Sequence, residues 1–254
     1  MIELQIRGGT ALITLNRPSA NAFSLEGLRT LLAHIHELEA DPSVRAMVIT
    51  GQGAKFFCAG ADLNTFATGD KAMAMDMAQA FGATFEALAD TRLVTIAAIN
   101  GYAMGGGLEC CLATDIRIAE AHAQMALPEA AVGLLPCGTG TQTLPWLVGE
   151  GWAKRMILLG ERVDAPTALR IGLVEEVVGS GESLDKALAL AEQVSRQSPD
   201  SVVACKDLIH AARRGVPRGA ALSLERERFV TLFNGPNQRE GVNAFLEKRQ
   251  ATWQ

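Results

Sequence analysis

Apolar positions along the chain change their period several times, and each change predicts an element. Residues 2 to 7 and 10 to 16 alternate apolar and polar side chains around Gly8-Gly9, the pattern of a β-hairpin. Asn16-Arg17-Pro18 ends it. The period then lengthens: Leu25, Leu28, Leu31, Leu32, Ile35 and Leu38 recur at helical spacing, with Ser24 placed to cap the start and Asp41-Pro42 to stop the end. Arg45 to Thr50 and Val94 to Ile99 are short apolar runs, expected of strands buried on both faces. Between them, Phe56 to Leu63 reads as a loop of aromatic and small residues. Lys71 to Asp90 reads as a helix whose Met73, Met75, Met77, Phe81, Phe85 and Leu88 are by default core packing, flexible Met being also suited to line an adaptable pocket.

Thr114 to Ala119 and Ala123 to Met125 predict two more short strands, flanking Glu120-Ala121-His122. The stretch from Gly133 to Gly140 is rich in glycine and proline, and Thr139 is placed to cap a helix through Trp146. Helical patterns follow over 150–160, 165–171, 184–196, 200–213, 218–233 and 237–250, interrupted by the strand-like Val174 to Val178. The repeated strand, strand, helix rhythm has no self-similarity at the level of sequence. Its change to an all-helical pattern predicts an α/β core over residues 1–195 and a helical region over 196–254, with Ser198-Pro199 marking the change.

Composition narrows the function classes. The 254 residues, 48% of them hydrophobic and 20% charged, can bury a sizeable core and are not those of a disordered chain. A formal net charge of −5 favours neither nucleic acid nor an anionic membrane as partner. The cysteines Cys58, Cys110, Cys111, Cys137 and Cys205 are odd in number and lack CxxC spacing, which argues against a disulfide framework or a zinc site. Met1 to Arg7 alternates rather than forming a signal peptide, and no apolar run is long enough to cross a bilayer. A reducing, cytoplasmic location is the expectation. The sequence also lacks GxxxxGK[ST], a GxGxxG turn after a strand, HExxH and GxSxG, so phosphate-loop, dinucleotide, zinc-hydrolase and serine-hydrolase chemistry lose support.

Candidate chemistry centres on Asn100-Gly101-Tyr102-Ala103-Met104-Gly105-Gly106-Gly107-Leu108-Glu109-Cys110-Cys111, where an apolar run empties into three glycines and a helical pattern. Glycine lets a ligand approach the main chain, and unpaired N–H groups at a helix start favour developing negative charge. Glu109 is the lone carboxylate that follows. It either complements the helix start and faces water, or works with Glu129, itself a lone acid in the apolar run Ala126 to Leu135. Two such acids suit a general acid–base pair whose pKa values are separated by burial and mutual repulsion. A loop acid tied to a backbone amide is the other reading of Glu129.

Phe57-Cys58-Ala59-Gly60-Ala61-Asp62, the glycine stretch through Glu109, and Pro128-Glu129 through Pro136 together resemble the enoyl-CoA hydratase/isomerase (crotonase) family. The similarity runs from Leu15-Asn16-Arg17-Pro18 to Phe245-Leu246-Glu247-Lys248-Arg249. It implies a spiral of ββα turns with a helical C-terminal region that forms trimers or dimers of trimers, and an acyl-CoA thioester substrate of the kind met in fatty-acid and other lipid metabolism. Coenzyme A is then part of the substrate, and no separate cofactor or metal is implied.

The resemblance further implies an oxyanion hole made by the N–H groups of Ala61 and Gly106, with Glu109 and Glu129 acting on one water to hydrate a 2-enoyl thioester. Ala20, Ala59, Asp62, Leu63 and Asn64 would lie along coenzyme A, and Phe245 and Lys248 would reach it from the C-terminal region. Two departures stand out. Cys137 follows Pro136 where the family commonly has glycine, and either fills space or narrows the site; Asn64 stands where many hydratases carry lysine. Isomerisation or decarboxylation of another acyl-CoA is the alternative within the fold, and a non-catalytic scaffold associated with coenzyme A or RNA the alternative outside catalysis. The paired glutamates and the acidic balance argue against both.

Overall fold

The computed structural model describes residues 1–254. They divide into two compact units, Met1–Ala191 and Glu192–Gln254. No helix is long and apolar enough to cross a membrane.

The first unit is built by repetition of strand, strand, helix. Its elements are β1 (Ile2–Arg7), β2 (Thr10–Leu15), α1 (Leu25–Ala40), β3 (Ala46–Gly51), β4 (Phe56–Cys58), α2 (Lys71–Asp90), β5 (Val94–Ile99), β6 (Tyr102–Met104), α3 (Gly106–Leu112), β7 (Ile116–Glu120), β8 (Gln124–Ala126), α4 (Gly140–Leu158), β9 (Val163–Asp164), α5 (Ala165–Ile171), β10 (Glu176–Val178) and α6 (Ser183–Ser195). Single 3₁₀ turns occupy Leu63–Phe66 and Glu129–Val132. The sheets divide the strands by their place in each turn. In the three middle turns the first strands, β3, β5 and β7, join the opening hairpin and β10 in a six-stranded sheet ordered β1-β2-β3-β5-β7-β10, and the second strands, β4, β6 and β8, join β9 in a four-stranded sheet ordered β4-β6-β8-β9.

The local causes are those the patterns predict. Ser24 caps α1 by accepting from the Gly27 N–H at 3.1 Å, and α1 buries Leu28, Leu31, Ile35 and Leu38 on one face. That face packs against α2, where Met77, Phe81, Phe85 and Leu88 are buried and the Thr84 hydroxyl donates to the Leu28 carbonyl at 3.2 Å. Each such side chain contributes about 1.5–3 kcal/mol on burial. Strand β3 is buried along its whole length, paired in parallel with β2 on one side and β5 on the other, which explains its unbroken apolar run.

Two expectations are corrected. The stretch read as a loop from Phe56 begins as β4, a three-residue strand paired with β6, and neither strand is long enough to show an alternating pattern. Thr139 occupies the position before α4 but makes no side-chain cap; its φ of 84° turns the chain instead. The helices expected through Trp146 and over 150–160 are both present, as the two halves of α4 on either side of a kink at Gly149, whose φ of 77° is open to glycine.

The second unit is helical, with α7 (Pro199–Arg213), α8 (Arg218–Leu232) and α9 (Pro236–Leu246). Ser198 caps α7, and Asn237 donates to Asp200 at 2.9 Å while accepting from the Gln254 N–H at 2.9 Å, which ties the C-terminus to the unit.

Candidate active site

Strands β4, β6 and β8 lie side by side and parallel, so their carboxyl ends emerge at one edge of the small sheet. Each delivers one of the three stretches singled out in the sequence. Beyond β4 comes Ala59-Gly60-Ala61, beyond β6 the triple glycine, and beyond β8 Leu127-Pro128-Glu129. Parallel pairing thus gathers residues from three distant segments into one cleft of about 650 Å³, as open α/β sheets commonly do at their carboxyl edges.

Ala59, Ala61, Leu63, Gly106, Glu109, Glu129 and Cys137 all line this cleft. Its remaining wall is apolar: Phe66, Ala74, Ala78 and Phe81, with Val132, Leu134 and Leu135 opposite in sequence. No lysine or arginine faces it. No cluster of side chains suited to holding a metal ion occurs in the chain.

The two amides are available. Ala61 bridges to Phe23, but the bonds of that bridge run from the Phe23 N–H to Gly60 O at 2.7 Å and from the Asp62 N–H to Phe23 O at 3.0 Å, leaving the Ala61 N–H without an acceptor in the chain. Gly106 opens α3, and its N–H belongs to the unpaired first turn. Close packing dictates glycine at this corner. A Cβ on Gly60 would lie 2.8 Å from Met104 O and 3.2 Å from Gly106 N, so the segments carrying the two amides are in direct contact. Gly105, at φ 53°, turns the chain into α3, and a Cβ there would sit 3.0 Å from Glu129 Oε1.

Glu109 is 2% exposed, and its Oε1 accepts from the Gly138 and Gly140 N–H groups, each at 2.8 Å. Burial raises its pKa, and these amide bonds oppose the rise by favouring the charged form. Glu129 has less support: its own backbone N–H opposes the rise, while its Oε2 is buried without a hydrogen-bond partner. Burial raises it to about 7, and the charge of Glu109 adds to the effect. The two acids therefore differ in environment: burial raises both, with the Gly138 and Gly140 amides opposing the rise at Glu109 and the charge of Glu109 adding to it at Glu129. Cys137, though exposed as a residue, has its thiol raised to about 11 by the desolvating groups around it and by both glutamates, so it stays neutral.

Other expected contact residues lie elsewhere. Asp62 does not line the cleft; its Oδ2 takes the Arg17 guanidinium at 2.6 Å, and its Oδ1 the Asn64 N–H at 3.1 Å and side-chain amide at 2.9 Å. The Ala20 carbonyl accepts from the Ala59 N–H at 3.0 Å, holding the first loop against the strand end. Phe245 and Lys248 belong to the second unit, where Phe245 is exposed.

Sequence reasoning missed Gly138 and Gly140 as the groups that orient Glu109; Cys137-Gly138-Thr139-Gly140 was the available signal. It also took core as the default for the face of α2, with Met as the alternative pocket lining, whereas it is Phe81 that lines the cleft beneath Gly106 as well as packing against Phe23 and Phe85, at ring-centroid distances of 5.9 and 5.6 Å.

A cleft at the ends of parallel strands, two amides without acceptors at one corner, and one buried and one half-buried acid accompany a crotonase fold. Residues 5–254 match the enoyl-CoA hydratase/isomerase family, and the chain belongs to it. The solved structure of Pseudomonas aeruginosa DspI superposes with a TM-score of 0.97 at 63% identity, covering 100% of this chain and 96% of that one. The short-chain-enoyl-CoA hydratase of Clostridium acetobutylicum is 36% identical over 254 residues, 98% of this chain and 95% of the relative. The 2,3-dehydroadipyl-CoA hydratase of Escherichia coli is 39% identical over 240 residues, 94% and 92% of the two chains.

Proposed function

We propose that the protein is an enoyl-CoA hydratase, adding water across the 2,3 double bond of a 2-enoyl-CoA thioester to give the 3-hydroxyacyl-CoA. The observation that carries this reading is the presence of both Glu109 and Glu129 in the cleft that the Ala61 and Gly106 amides border. The thioester carbonyl oxygen accepts from those two N–H groups, which stabilise the enolate-like charge that develops as C3 is attacked. A donor of this kind is typically worth about 3 kcal/mol.

Glu109, held by two amides, orients the water and takes its proton as oxygen bonds to C3. Glu129 gives its proton to C2. The product gains the oxygen and one hydrogen of the attacking water at C3 and the Glu129 proton at C2, and a proton passing from Glu109 back to Glu129 by exchange with solvent restores the starting state. The apolar wall and the lack of a facing cation favour an uncharged acyl group. The coenzyme A portion lies along Ala20, Ala59, Asp62, Leu63 and Asn64.

Self-association as a trimer or a dimer of trimers belongs to the same reading, supported by exposed Ile209, Phe229, Val230, Phe233 and Leu246 in the second unit. So does work in the cytoplasm within fatty-acid or other lipid metabolism. The test follows the absorbance of the conjugated enoyl thioester with crotonyl-CoA and longer analogues and identifies the product. Water addition supports the reading. A shifted double bond or released carbon dioxide replaces it with isomerisation or decarboxylation, and coenzyme A binding without turnover replaces it with a scaffold.

A further inference from the structure

We infer that Cys58 is a positioning residue, whose thiol fixes the Gly60–Ala61 peptide so that the Ala61 N–H is presented to the cleft. The role in rate rests on the oxyanion-hole reading above; the geometry does not. Gly60 C=O and Ala61 N–H are the two ends of one planar trans peptide and point in opposite directions, so whatever anchors the carbonyl aims the amide. Two donors converge on that carbonyl: the Phe23 N–H at 2.7 Å and the Cys58 Sγ at 3.8 Å. The same sulfur accepts from the Gly60 N–H at 3.4 Å, so it brackets the residue from both sides.

Such an anchor is needed there. Gly60 sits at φ 95°, and glycine restrains its own peptide planes less than any other residue. A neutral thiol offers one donor and one weak acceptor, enough for both contacts, whereas a thiolate would lose the donor. Burial pushes Cys58 up to about 12, which keeps the S–H in place. Cys58 also abuts the other half of the corner, since a Cβ on Gly107 would lie 2.9 Å from Cys58 Cβ. One buried side chain therefore touches the segments that carry both amides.

The test uses the full chain with carbonyl-¹³C glycine and ¹⁵N alanine, which selects Gly-Ala peptides and so reports Ala54, Ala61, Ala83 and Ala220. Cys58→Ala should shift and broaden the Ala61 resonance while the other three keep their positions, and Cys58→Ser should return it toward that of the unaltered protein. In hydration assays Cys58→Ala should lower kcat about 5-fold with KM nearly constant, because S–H contacts are weak and the Phe23 bond remains. Cys58→Ser should recover at least half. Should the alanine variant not fold, Cys58→Val fills the space without a donor and carries the same expectation. An unmoved Ala61 resonance, or one displaced equally by serine, overturns the inference. If the unaltered protein turns over no enoyl thioester, the functional reading fails alone, and the Ala61 resonance still decides the role of Cys58.

Discussion

The Gly140 N–H donates to Glu109 Oε1 at 2.8 Å, and a Cβ built on Gly140 would fall 2.8 Å from that same oxygen. The carboxylate and the loop are thus fitted to each other with no room for a methyl group. Gly140→Ala should push Glu109 out of line without touching the rest of the cleft. A displacement of this size costs about 10²-fold in kcat. Steady-state hydration kinetics beside circular dichroism check it: near-normal kcat in a folded variant would show that Glu109 need not be held there.

Glu109→Gln and Glu129→Gln should each lower kcat for hydration by roughly 10²–10⁴ while leaving folding and coenzyme A affinity intact, the range expected for a general acid or base. Because the two act on one water, the double variant should be little worse than either single one. Independent, multiplying losses would contradict a shared role.

The pH dependence follows from Glu129, which burial raises from 4.5 to about 7. As the proton donor it is competent below that value, so kcat/KM for hydration should fall as pH rises through about 7. Its folded pKa lies above its unfolded one, so between 4.5 and about 7 the folded chain binds more protons than the unfolded. This contribution to stability is fully present below the lower value and lost as pH rises through the upper. Glu129→Gln should therefore be the more stable protein at pH 8, by an amount on the order of 1 kcal/mol after discounting for the partial exposure of the site, with the gap closing at low pH. Thermal melts of both proteins across the range measure it; a gap that widened on acidification would reverse the assignment.

Gly106→Ala would place a Cβ 2.7 Å from Phe81 Cε1. Overpacking of this kind costs about 1–3 kcal/mol, and trimming the ring with Phe81→Leu should return most of the stability to the double variant. Denaturant melts of the two single variants and the double variant test the coupling. Strict additivity would place the strain elsewhere.

The Cys137 thiol, raised to about 11, should react slowly with iodoacetamide at neutral pH and faster by about tenfold for each unit of added alkalinity until that value is approached. Mass spectrometry of the labelled peptide follows the rate, and rapid alkylation at pH 7 would show an activated sulfur.

Much of the frame is determined by the chain's own periodicity. Helices α1 and α2 and strands β3 and β5 fall where apolar spacing places them, because each buries a face or a full length wide enough to leave a pattern in the residues. The acids and the glycine turn were legible as well, being polar or side-chain-free positions within otherwise apolar runs. What only the tertiary structure decided is their meeting. Strands β4, β6 and β8 are three residues each, only the last of them legible in the sequence, and it is their parallel pairing across distant segments that brings Ala61, Gly106 and Glu129 to one edge. The orientation of Glu109 by Gly138 and Gly140 is likewise a contact across 29 and 31 residues. Local preference acts over a few neighbours, whereas these bonds form only once the core has packed, so no short stretch of sequence carries their signal.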